Sequence, residues 1–152
     1  MTTTVRRLGP ARVPAQVLPS ALGLLDQARR GLQEAVSVPV PAERYATAHL
    51  AALRGAAAVL AARTRPTDSR LRRRRPTSAW VLLTELAPEL GEWAAFFAAG
   101  AGKRAAAEAG VTGAATTREA DDLVRDVGTF LALVETTLGL VPTLPLGTPR
   151  AG

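Results

Sequence analysis

The chain contains one histidine, His49, with an arginine five residues before it, Arg44. Imidazole is the side chain whose charge changes closest to neutral pH, so His49 is the first candidate for moving a proton. A guanidinium stays charged and suits a phosphate, or charge developing on one. Five residues of α-helix turn through about 500°, leaving the two side chains roughly 140° apart around the axis. They can meet only if the arginine's long arm wraps back, or across a cleft between two copies. Two other readings of His49 stay open: a helix residue packed or capped against a neighbour, and a binding residue without turnover.

Other chemistries are thinly supplied. There is no cysteine, which removes disulfides, thiolate catalysis and cysteine-ligated zinc. One histidine is too few for the usual zinc sites. Gly102-Lys103 suggests a phosphate loop, but the position five residues before Gly102 is Phe97 and no Ser or Thr follows Lys103. Glu119, Asp121, Asp122 and Asp126 cluster at the start of an expected helix, where acidic residues complement the helix dipole. Ligating Mg²⁺ or pairing with arginines are the other uses of such a group. No metal and no cofactor is therefore expected.

A second constellation is basic. All but one of the 19 Lys and Arg residues are arginine. Seven arginines between Arg63 and Arg75, against Asp68, account for the whole net charge of +6. Arg70, Arg72, Arg73, Arg74 and Arg75 would grip phosphates, since each neutralised phosphate releases counterions. No aromatic residue is interleaved, so base stacking is not expected and binding should be indifferent to sequence. The plainer reading is a solvated loop made basic by arginine-rich coding.

The elements that must position these residues read as helices. Hydrophobic residues make up 47% of the chain and aromatics only 4%, which favours a Leu, Val and Ala core over a sheet. The first helix is expected from near Ser20 to Val36, burying Leu22, Leu25, Leu32 and Val36, and is ended by the prolines of SVPVP. Pro41 opens the second, which runs to Arg63 or Thr64 with Ala46, Leu50, Leu53, Ala57 and Leu60 as its apolar seam. Its abundant alanines mark it as central, with partners on more than one side.

Thr77 or Ser78 should cap a short third helix through Trp80, Leu82, Leu83 and Leu86. A fourth runs from Pro88 to Ala109, presenting Leu90, Trp93, Phe97 and Ala101. Phe96 and Phe97 cannot face the same way, so one is a candidate for a dimer interface. Thr116 and Glu119 have capping-box spacing, and the last helix places Leu123, Val127, Phe130, Val134 and Leu138 inward before Gly139. The expected fold is all-α, an antiparallel helical bundle of four long helices plus one short helix. It should span residues 19–140, with a basic loop at 64–77 and disordered tails at 1–18 and 141–152. The N-terminus has no apolar stretch of signal-peptide length, and Arg54, Lys103 and Arg104 interrupt the best membrane-span candidates. A soluble, cytoplasmic protein is expected.

The Arg44-x4-His49 spacing, the run ERYATAHLAALR and the later WVLLTELAPELGEWAAFFAAG together resemble the HEPN superfamily. The likeness is narrower with its small, stand-alone actinobacterial members, over roughly residues 20–140. Active HEPN proteins are metal-independent endoribonucleases with an Arg-x4-6-His motif, brought together at a two-fold axis. The resemblance implies a homodimer, RNA as partner, and catalytic roles for Arg44 and His49. His49 would shuttle the 2′-hydroxyl proton, Arg44 would hold the phosphate, and a 2′,3′-cyclic phosphate would result. Two departures stand out: the motif lies in the second helix rather than a later one, and Tyr45 replaces the usual polar residue after the arginine. The reading preferred from sequence is a HEPN-like module that binds nucleic acid or protein without catalysis, with the ribonuclease as the alternative.

Overall fold

The computed structural model describes residues 18–64 and 79–140. Six α-helices appear there: α1 (Leu18–Ser37), α2 (Pro41–Arg63), α3 (Ala79–Leu86), α4 (Gly91–Ala99), α5 (Ala101–Glu108) and α6 (Thr117–Thr137). A 3₁₀ turn, Pro88–Leu90, leads into α4. No strand is present among the described residues, so the chain is all-α. The arginine segment 70–75, the cap at Thr77 or Ser78, and both tails outside 18–140 lie outside the described residues.

Helix α2 is the centre, in contact with α1, α3, α5 and α6. Its sequence explains how one rod accommodates so many neighbours. The buried positions are Tyr45, Ala48, His49, Ala51, Ala52, Gly55, Ala56, Ala58, Val59 and Ala62, almost all small. This corrects the expected leucine seam: Leu50 is 38% exposed, and Leu53 and Leu60 are only partly buried. Helix α1 shows the same shift. Ala21, Leu25, Ala28 and Ala35 are buried, while Val36 is 63% exposed. Small residues win these faces because they let backbones approach: a Cβ on Gly31 would lie 3.4 Å from the Ala51 Cβ.

The layout departs from the expected helices in one respect. Residues 88–109 do not form one helix. Pro88 supplies the 3₁₀ start, and Gly100 (φ −87°, ψ 0°) divides α4 from α5. The Tyr45 hydroxyl explains Gly100, since a Cβ there would sit 2.9 Å from it. Helices α2 and α6 run parallel, since Arg44 reaches Asp121 and Gly55 faces Leu131. Helix α1 runs antiparallel to α6, with Leu32 near Gly128 and Arg29 bonded to Glu135. The broken α3–α5 segment returns the chain to the end from which α2 began.

The last helix forms as its sequence predicts. Thr116 and Glu119 make a reciprocal capping box, and Gly139 (φ +79°) allows the left-handed stop that lets Leu140 N–H reach the Glu135 carbonyl. Leu123, Val127, Phe130, Val134 and Leu138 are all buried. Helix α2 is long and apolar enough to cross a membrane by length and composition, its best window having a mean hydropathy of 1.2, despite Arg54. Yet 56% of that window is buried inside the fold, as befits a core helix.

Candidate functional site

His49 lies in the middle of α2, on the side facing α3 and α4, and is 1% exposed. Its Nε2 lies 3.1 Å from the Phe97 carbonyl oxygen. A carbonyl only accepts, so Nε2 carries the proton and donates, leaving a neutral imidazole with its lone pair on Nδ1. Among the described residues Nδ1 has no hydrogen-bond partner. The ring is set edge-on to Trp80 and Phe97, with centroids 6.1 and 5.7 Å away. Burial pushes its pKa below the ordinary histidine value; the Phe97 carbonyl opposes this, and the charge of Arg104 adds to it.

Arg44 is directed elsewhere. Its Nε donates to the Val38 carbonyl at 2.9 Å, its Nη2 to the Pro39 carbonyl at 3.1 Å, and its Nη1 to Asp121 Oδ1 at 2.6 Å. The side chain closes the α1–α2 turn, where prolines leave carbonyls without helical partners, and ties it to the first turn of α6. Arg44 and His49 therefore do not converge. The residue beside His49 is Tyr45, one helical turn earlier, with ring centroids 6.3 Å apart. Tyr45, His49, Phe96, Phe97, Gly100 and Leu123 line a hollow of about 240 Å³. Burial raises the Tyr45 pKa, partly offset by the Lys103 charge. Neutral forms are thus favoured for both ring groups.

The acidic residues disperse rather than converge. Glu119 closes the capping box and pairs with Lys103 at 3.1 Å, Asp121 pairs with Arg44, and Asp122 with Arg125. Asp126 faces α4 instead. Among the described residues no group of three His, Asp or Glu side chains is placed to hold a metal ion.

Sequence reasoning passed over several tertiary locks. Arg29 on α1 pairs with the buried Glu135 on α6 at 2.6 Å. Its one signal was an acid among the buried positions Leu131, Val134 and Leu138. Arg63 donates to the Leu86 carbonyl at 3.0 Å and pairs with Glu89, fastening the end of α2 to α3 and the 3₁₀ turn. Tyr45 stood out in the sequence as the residue after Arg44, and its place one turn before His49 was the signal for their contact.

The histidine yields an expected result that no other imidazole can obscure. A histidine whose folded pKa is depressed favours the fold above its unfolded pKa of about 6.5, and that contribution is lost as pH falls below it. Stability should fall between pH 7.5 and 5.5, by at most about 1.4 kcal/mol per pH unit. Urea unfolding at a series of pH values should show this in the wild type and not in His49→Phe. An equally steep fall in both would remove His49 as the cause.

Comparison with curated proteins and with solved structures gives no match. A family model described as SAV_6107-like HEPN matches residues 35–135, from the end of α1 almost to the end of α6. The match takes in Arg44, His49, Gly100 and the capping box of α6. With an all-α body centred on that motif-bearing helix, the chain belongs to the SAV_6107-like HEPN family.

Proposed function

We propose that this chain is a non-catalytic HEPN module of the cytoplasm that binds RNA or another nucleic acid through Arg70 and Arg72–Arg75. The observation carrying this reading is that the two motif side chains do not converge and each is already engaged in hydrogen bonds within the fold. His49 is enclosed with its one N–H donated to Phe97, and Arg44 already satisfies two carbonyls and a carboxylate. A nuclease of the Arg–His type needs an imidazole within hydrogen-bond reach of the 2′-hydroxyl. Presenting His49 would break a buried hydrogen bond and pull its ring away from Tyr45, Trp80 and Phe97. Arg29, Arg44 and Arg63 are each held in ion pairs, and the densest run of basic residues elsewhere in the sequence is Arg70 with Arg72–Arg75.

The test is binding of single-stranded RNA across a salt series, together with a cleavage assay in EDTA. Affinity should fall linearly on a log–log plot, and replacing Arg72–Arg75 with alanine should flatten the slope by about 0.7 for each phosphate no longer neutralised. The RNA should remain intact. Cleavage in EDTA that disappears in His49→Gln would establish the ribonuclease alternative instead. Binding that is absent, or insensitive to salt, would exclude a nucleic-acid partner and direct attention to an acidic protein.

A further inference from the structure

A second hollow, of about 350 Å³, is lined by Glu92, Trp93 and Phe96 of α4 and Asp126 of α6. One of its aromatic walls is anchored in the core. Trp93 is stacked on Phe97 at 5.8 Å and leans on Phe130 at 5.9 Å, both inside the core. Phe96 stands nearly perpendicular to Trp93 (83°, 5.8 Å) and is 46% exposed, a large apolar ring left at the surface beside two acids.

The two carboxylates differ from most of their neighbours. Glu89, Glu119, Asp121, Asp122 and Glu135 are each matched to a basic side chain. Among the described residues Glu92 and Asp126 have no ion-pair partner, although both line the same aromatic hollow. Burial pushes the Asp126 carboxyl above its ordinary range, and the Asp122 charge adds to this against the opposing pull of Arg125. Bringing in a cation would relieve that cost.

We infer that the Glu92–Trp93–Phe96–Asp126 hollow binds a guanidinium group, as an arginine side chain or a small arginine-like compound. Cations are attracted to indole and phenyl faces, and a planar, weakly hydrated guanidinium can stack while its N–H fork meets carboxylates. An ammonium is more strongly hydrated and lacks the flat face. A phosphate would meet two negative charges. The site shares Phe96 with the hollow beside His49 but includes neither Arg44 nor His49, and the inference stands whether or not the chain binds RNA.

The experiment is a titration of the full chain, following the Trp93 indole N–H resonance. N-acetyl-arginine amide should give a saturable shift, with a dissociation constant on the order of millimolar. Tetramethylammonium, which offers charge without N–H donors, should bind several-fold more weakly. The double variant Glu92→Gln/Asp126→Asn should keep its helical circular dichroism and bind the arginine amide at least about ten-fold more weakly. A neutral peptide with one central arginine separates the sources. Tighter binding than the free amide assigns the site to a polypeptide, and equal binding to a small guanidinium compound. No saturable shift at Trp93, undiminished binding in the double variant, or equal binding of tetramethylammonium would each overturn the inference.

Discussion

Phe130→Ala is expected to lower the free energy of unfolding by about 3–5 kcal/mol, the range for truncating a fully enclosed phenylalanine. Phe130 is 0% exposed and is the point where α6 meets the aromatic cluster. Its ring lies 5.0 Å from Phe97, 5.9 Å from Trp93 and 6.2 Å from Trp80. Alanine would leave a void bordered by three large, rigid rings, which cannot collapse into it as flexible aliphatic chains might. Domains of this size hold only about 5–15 kcal/mol in total, so the loss would be a large share. Urea unfolding followed by circular dichroism gives the number. Phe96→Ala is the control: 46% exposed, it should change stability by no more than about 0.5 kcal/mol. Equal losses for the two variants would show that the cluster is not the fold's anchor.

The contrast between these neighbours shows what the sequence made legible. Phe96 and Phe97 had to point apart, and spacing placed Phe97 with Leu90 on the inner face, as observed. Helix α6 was legible in its start and its core face, because its cap is chemical and Leu123, Val127, Phe130 and Val134 recur at helical spacing. Helices α1 and α2 were legible in extent but not in orientation. Alanine occupies every face of α2, so the rarer leucines drew the pattern toward themselves. The buried face is set by how closely backbones approach, which hydropathy does not record. The division at Gly100 answers to Tyr45, 55 positions earlier in the chain.

The candidate site divides in the same way. The Arg44–His49 spacing could be read directly, but the partners that define each residue are tertiary. Val38 and Pro39 offer backbone carbonyls, which carry no residue-type signature, and so does Phe97. Asp121 was visible as part of an acidic cluster. Its assignment to Arg44 depends on α2 and α6 running parallel, which no local pattern encodes.

That parallel packing is the subject of the second large effect, at Gly55. A Cβ there would stand 2.5 Å from Leu131 Cδ2 and 3.5 Å from Phe130 Cε2. Two effects compete in Gly55→Ala: alanine gains about 1 kcal/mol in helix propensity, while the close approach forces a fully buried leucine to move. In Gly55→Leu the propensity gain is similar, but the whole side chain must enter the space between α2 and α6. Overpacking should then dominate, with a net loss of about 3 kcal/mol. The cause is separable by a double-mutant cycle. Leu131→Ala alone should cost about 2–5 kcal/mol as a cavity, whereas combining it with Gly55→Ala puts a methyl group where space has been opened. The pair should be less destabilised than the sum of the single changes by about 1 kcal/mol or more. Strict additivity would mean that α2 and α6 do not meet at Gly55. It would also undo the register that brings Arg44 to Asp121 and keeps it from His49.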